Sequence, residues 1–179
     1  GAFQFPIRLN PVTRAYFGRQ AELVAPELGR DMRAVLADPP DAAAADRLWN
    51  ANPSWNSMLR TTCVATMIEG GHAPNALPQR VRANVNCRIL PGEPVAAVQA
   101  QIQRVLGDEG IAVTRVGEEG LASTPPTLSE AVMGPVRAVA ESIWPGVAIV
   151  PTMATGATDG RFLNNAGIPT YGVSGMFHD

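Results

Sequence analysis

The densest run of chemically capable residues lies between Ala154 and Gly175, ATGATDGRFLNNAGIPTYGVSG. Gly156 lets a backbone approach a ligand closely, Thr158 offers a hydroxyl, and Arg161 adds a cation. Asp159 is placed to cap the short helix expected over Asp159–Asn165. The run follows an apolar stretch, AIVPTM. A loop at the carboxyl end of a strand that leads into a helix presents free N–H groups and a partial positive charge, a setting in which anions bind. A small molecule bearing a carboxylate is the natural guest. Neither phosphate fingerprint is present, neither G-x-G-x-x-G nor a loop ending in GK[ST]. A tight strand–helix turn with a capping aspartate accounts for the same residues equally well.

A second constellation is GGHAPNALPQRVRANVNCR. Asn75 sits in a loop between two strand-like segments, and Arg88 lies on the polar face of the second. An amide and a guanidinium together can grip a carboxylate, the guanidinium bidentately. The plainer reading is an Asx-type turn and an exposed arginine. His72 and His178 are the only histidines, too few for a metal site built from several His, Asp or Glu ligands. His72 is read as supporting its glycine-rich loop, and His178, beside Asp179, as a frayed surface residue. No Ser/His/Asp arrangement, G-x-S-x-G or catalytic cysteine context occurs, so no catalytic residue is assigned. Cys63 and Cys87 fall in apolar-patterned strands and are expected as buried thiols, with one disulfide between them as the alternative.

The elements that must position these residues follow from periodicity. Phe3, Phe5, Ile7 and Leu9 alternate, predicting a short extended entry interrupted by Pro6. Thr13 is expected to cap a helix over Arg14–Val24. Leu28, Met32, Val35 and Leu36 have helical spacing, and Asp41 caps a further helix through Trp49. From Thr61 the period changes. Thr61–Glu69 reads as a strand, and Val81–Ile89 alternates, with Val81, Ala83, Val85, Cys87 and Ile89 on one face and Arg82, Asn84, Asn86 and Arg88 on the other. The two are expected to pair antiparallel. An amphipathic helix over Val95–Leu106 turns Val95, Val98, Ile102, Val105 and Leu106 inward. Ile111–Val116 is expected as a third strand. Strand, strand, helix, strand is most of a ferredoxin-like sandwich. After a linker, GEEGLASTPPTLSE, Ser129 should cap a helix through Ile143 that Pro135 kinks near its start. Strands at Val147–Met153 and Ile168–Val173 flank the short helix. That rhythm suggests a parallel α/β sheet and a boundary near residue 120.

Composition narrows the class. A hydrophobic content of 46% and a charged content of 17% are those of a packed globular chain. A net charge of −2 with scattered arginines argues against a nucleic-acid partner. No apolar run is long enough to span a membrane. The opening GAFQF, without Met or a signal pattern, reads as cut from something longer.

TTCVATMIEGGHAPNALPQRVRANVNCRILPG resembles the lid, or dimerisation, domain of the zinc-dependent aminoacylase, carboxypeptidase and succinyl-diaminopimelate desuccinylase superfamily. VPTMATGATDGRFLNNAGIPTYGVSG resembles the closing segment of that family's catalytic domain, and FPIRLNPVTRAYF an extended lid of its longer members. The resemblance implies an α+β chain, with a ferredoxin-like lid plus helical extension over residues 1–120 and an α/β catalytic-domain fragment over 121–179. It implies a parent hydrolase that cleaves the amide bond of peptides or N-acyl amino acids with two zinc ions and a glutamate base. By the same resemblance Asn75, Arg88, Gly156 and Thr158 bind substrate, Arg161 matches the motif, and the domain forms a homodimer. The segment in which the family carries its His-x-Asp motif and Glu-Glu pair is not in this sequence, so zinc is not expected on this chain alone, and the chain alone is expected to be inactive. The alternative is a non-enzymatic ferredoxin-like interaction or amino-acid-sensing module.

Overall fold

The computed structural model describes residues 4–117, 124 and 126–174. The expectations for Phe3 and His178 and for half of the linker lie outside them. Seven helices and one two-stranded antiparallel sheet make up the regular structure of the described residues, an α+β arrangement. Four helices come first, α1 (Pro11–Gln20), α2 (Pro26–Ala34), α3 (Ala42–Ala51) and α4 (Pro53–Leu59).

α1 starts earlier than Thr13. Asn10 is the N-cap, its side chain accepts the Thr13 N–H at 2.9 Å, and the Thr13 hydroxyl accepts the Asn10 N–H at 3.0 Å. Pro11 at the first helical position costs nothing, because its missing N–H would have had no partner there. Asp41 caps α3 as expected, taking the Ala44 N–H. Asn52 ends α3 and caps α4 through the Ser54 N–H, so one asparagine turns the corner. The four helices share a core of Phe17, Met32, Val35, Leu48 and Leu59, all fully buried. α2 docks closely on the end of α1. A Cβ on Gly29 would stand 2.5 Å from the Ala21 carbonyl oxygen, so only glycine fits. Arg47 forks onto Asp31 and ties α3 to α2, the closest contact being 2.7 Å. Arg60 ends α4 as a buried residue, 5% exposed. Its Nε and Nη2 have no hydrogen-bond partner among the described residues, and Asp46 Oδ1 is 4.0 Å from Nη2. Burial holds the Arg60 pKa below the ordinary guanidinium value, partly offset by Asp46.

The hairpin follows, β1 (Thr62–Gly70) and β2 (Val81–Arg88), paired antiparallel with Cys63 opposite Cys87 and a bulge between Ala65 and Met67. That register converts the two expected thiols into a disulfide, with Cα atoms 4.1 Å apart. α5 (Val95–Leu106) covers one face. Val98 and Ile102 are buried with Phe5, and Cys63, Cys87, Ile89, Leu106 and Val113 pack around them. Val105, expected inward, is exposed.

Ile111–Val116 forms no strand. Side-chain amides of α5 occupy the carbonyls it would have paired: Gln103 Nε2 donates to Ile111 O and Gln99 Nε2 to Val113 O. The strands expected at Val147–Met153 and Ile168–Val173 are likewise irregular, so no parallel sheet forms among the described residues. Met153 packs on the helical core, and Asn10 Nδ2 points at its sulfur. Thr170 donates its hydrogen bonds locally, its N–H to Asn164 Oδ1 and its hydroxyl to Ile168 O. α6 (Glu130–Ile143) carries Pro135 internally and buries no residue fully. Ser129 stands at its N-cap position, but its side chain makes no capping bond. α7 (Gly160–Asn165) is the short helix after the glycine–threonine turn, closed by Gly167 at φ +80°.

Candidate functional site

β2 carries Arg88 on its last rung, opposite Thr62. The face that holds Arg82, Asn84, Asn86 and Arg88 lies away from α5, because Cys87 and Ile89 turn toward it. Arg88 is exposed, and its Nη1 donates to the Thr155 carbonyl at 2.8 Å, across 67 positions of sequence. Gly156 follows, and a Cβ there would lie 3.7 Å from the same Nη1. The hairpin guanidinium and the glycine–threonine turn thus form one corner. One of the five guanidinium N–H groups is used on Thr155. The exposed position leaves the fork open to a carboxylate.

Thr158 is exposed in the turn, and its carbonyl accepts the Arg161 N–H at 3.3 Å. Gly160 comes within 3.2 Å of Thr158 Oγ1, measured from the position of an added Cβ, and the Thr170 side chain closes the other side. Arg161 lies over the Phe162 ring, 4.6 Å from its centre, which fixes the cation on α7. Asp159 occupies the N-cap position of α7 without a side-chain capping bond, so the capping role expected of it is not made.

Asn75 is not at this corner. It lies exposed in the loop between β1 and β2, at the end of the hairpin opposite Arg88. At about 3.4 Å per residue, Val81 to Arg88 spans roughly 24 Å. Asn75 of the same chain therefore stands beyond the far end of the hairpin from Arg88. His72 is exposed in the same loop.

A buried cluster behind the corner was not visible in the sequence. The Thr61 hydroxyl donates to Glu93, Leu90 N–H donates to Thr61 Oγ1 at 3.0 Å, and Arg8 Nε lies 3.5 Å from Glu93. Arg8 N–H also donates to Leu59 O at 2.8 Å. The cluster binds the entry segment, the start of β1 and the turn after β2 into one junction. The Pro-Gly after Leu90 marked a turn, but nothing marked its partners.

Among the described residues no three His, Cys, Asp or Glu side chains come together in a way that could hold a metal ion. No helix among them is long and apolar enough to cross a membrane.

Residues 19–114 match the family described as Peptidase dimerisation domain, which is more than half of the chain. The chain belongs to the M20 peptidase dimerisation-domain family. The match runs from the end of α1 through the helical core, the hairpin and α5. Curated relatives of this dimerisation-domain chain are M20 hydrolases. It is 29% identical over 121 residues to the N-fatty-acyl-amino acid synthase/hydrolase of Homo sapiens, covering 66% of this chain and 24% of that protein. It is 27% identical over 129 residues to Aminoacylase-1 of Mus musculus, covering 70% and 31%. With Probable carboxypeptidase S-like 2 of Dictyostelium discoideum it shares 23% over 118 residues, covering 64% and 22%. The dimerisation-domain chain thus spans less than a third of the length of the relatives it matches. No solved structure matches it.

Proposed function

We propose that the chain is part of a zinc-dependent hydrolase that cleaves the amide bond of peptides or N-acyl amino acids, and that it supplies the grip on the substrate's carboxylate and the dimer contact. The observation that supports this most is the bond from Arg88 to the Thr155 carbonyl, which sets a guanidinium fork beside Gly156 and Thr158. The names of the relatives, an aminoacylase and an N-fatty-acyl-amino acid hydrolase among them, point to an N-acyl amino acid. Hairpin and α5 are the core of a ferredoxin-like lid up to about residue 120, and the later residues are the closing piece of the catalytic domain. The two zinc ions that the family implies have no ligand set in the described residues. The described residues contribute binding in this reading: Arg88 holds the carboxylate, and the Gly156–Thr158 turn lines its approach. Arg161 contributes positive charge from α7.

Asn75 belongs to the same task in a homodimer. Its loop stands free of the Arg88 corner of its own chain, so it serves the corner of the second subunit. The test is calorimetric titration of the chain with N-acetyl-leucine and with its methyl ester. The acid binds and the ester does not. Arg88→Ala removes one to two charge-assisted hydrogen bonds, a loss of about 1.5–3 kcal/mol or roughly 10- to 150-fold in Kd. Equal binding of acid and ester, or unchanged binding by the variant, refutes the reading and favours a non-enzymatic module.

A further inference from the structure

The Cys63–Cys87 bond occupies the rung next to Arg88. Arg88 itself sits on the terminal rung, where a strand has partners on one side only. The backbone of Arg88 is held between a covalent tie one residue before it and the Leu90–Thr61 hydrogen bond two residues after it. Its side chain depends on that hold, because from an exposed position it meets the far turn, among the described residues, by a single hydrogen bond, Nη1 to Thr155 O. The sheet around it is slight. It has two strands, Val64, Ile68 and Val81 are largely exposed, and a two-stranded ribbon alone is marginal in water. The register already shifts once, at the bulge between Ala65 and Met67. A further slip of one residue would turn Arg88 to the opposite face and Cys87 out of the α5 contact.

We propose that the Cys63–Cys87 disulfide is a positioning element for carboxylate binding: it locks the hairpin register and acts on the ligand through Arg88. The geometry stands without a ligand, whereas its consequence for binding rests on the reading above.

The experiment uses the whole 179-residue chain in its oxidised form, the Cys63→Ala/Cys87→Ala variant, and Cys63→Val/Cys87→Val as a β-branched pair that keeps the cross-strand packing if the alanine pair does not fold. The first readout is the nuclear Overhauser contact between the Arg88 guanidinium and the Gly156 α-protons. It is present in the oxidised chain and lost in the variant, while signals of Leu48 and Val35 in the helical core stay in place. A contact that persists without the disulfide, or that is missing in the oxidised chain, overturns the proposal. The second readout is the Kd for N-acetyl-leucine across a double-mutant cycle. Loss of the disulfide weakens binding about tenfold, as for one lost hydrogen bond to a charged group, and Arg88→Ala adds little further loss in that background. Full additivity would show a merely structural bond and overturn the proposal. If the oxidised chain does not bind N-acetyl-leucine, the functional reading has failed, and the Arg88–Gly156 contact alone decides the positioning claim.

Discussion

Removing the Cys63–Cys87 bond should cost a calculable amount of stability. The two cysteines are 24 positions apart, and the bond closes the whole hairpin with its loop. Constraining the unfolded chain over a loop of that length removes about 12 cal/mol/K of entropy, or about 3.5 kcal/mol at 25 °C. For a chain of this size that corresponds to a fall in melting temperature of roughly 7–14 °C. The native state adds a packing contribution, because both sulfurs rest against the cluster of Phe5, Val98 and Ile102. Cys63→Val/Cys87→Val therefore isolates the entropic part better than the alanine pair. The assay is urea unfolding followed by circular dichroism, with hydrogen exchange at Val85 and Leu48 to separate the hairpin from the helical core. Exchange at Val85 should accelerate far more than exchange at Leu48. A loss below about 1 kcal/mol would mean that the unfolded chain is already confined near Cys63 and Cys87, and would refute the loop-closure argument.

Three further substitutions test the packing directly. Gly29→Ala should lower stability by about 1–3 kcal/mol in thermal melts, against its helix-propensity gain of about 1 kcal/mol, because the new Cβ meets the Ala21 carbonyl oxygen at 2.5 Å. Arg60→Met should raise the melting temperature, since it replaces two buried donors that lack a hydrogen-bond partner among the described residues by apolar atoms and relieves about 1–3 kcal/mol of desolvation; a fall would show that the 4.0 Å ion pair with Asp46 outweighs that cost. Arg137, hydrogen-bonded to Glu130, holds that carboxyl below the usual carboxylate range. Its stabilisation is present above the unfolded carboxyl's pKa and is lost as pH falls through the lowered folded value. In a carbon-detected NMR titration, Arg137→Gln should return the Glu130 midpoint to the ordinary range.

The helices and the hairpin were legible because their periods are local. Val81–Ile89 alternates without a break, and Val98 and Ile102 share one helical face that is buried as their spacing requires. The start of α1 was misplaced because Thr13 is a good capping residue that here bonds back to a better one, Asn10, with Pro11 fixing the entry. The strand at Ile111–Val116 was read from its apolar residues, but sheet formation needs free carbonyls, and Gln99 and Gln103 had taken them. The disulfide follows from register, which a bulge can shift and no composition reveals. The Arg88–Thr155 contact joins residues 67 apart. Residue types nominated both ends of that corner, but only the fold could bring them together, and only the fold could separate Asn75 from Arg88.

The helical core also sets an order of assembly. Phe17, Met32, Leu48 and Leu59 find one another over short stretches of chain, and contacts of low sequence separation form fast. On the ribosome this bundle can close before β2 has been synthesised. Met153 reaches the same core from almost a hundred residues beyond Leu59. It therefore arrives as a late guest on a finished surface, and the corner at Arg88 is completed only with that final docking.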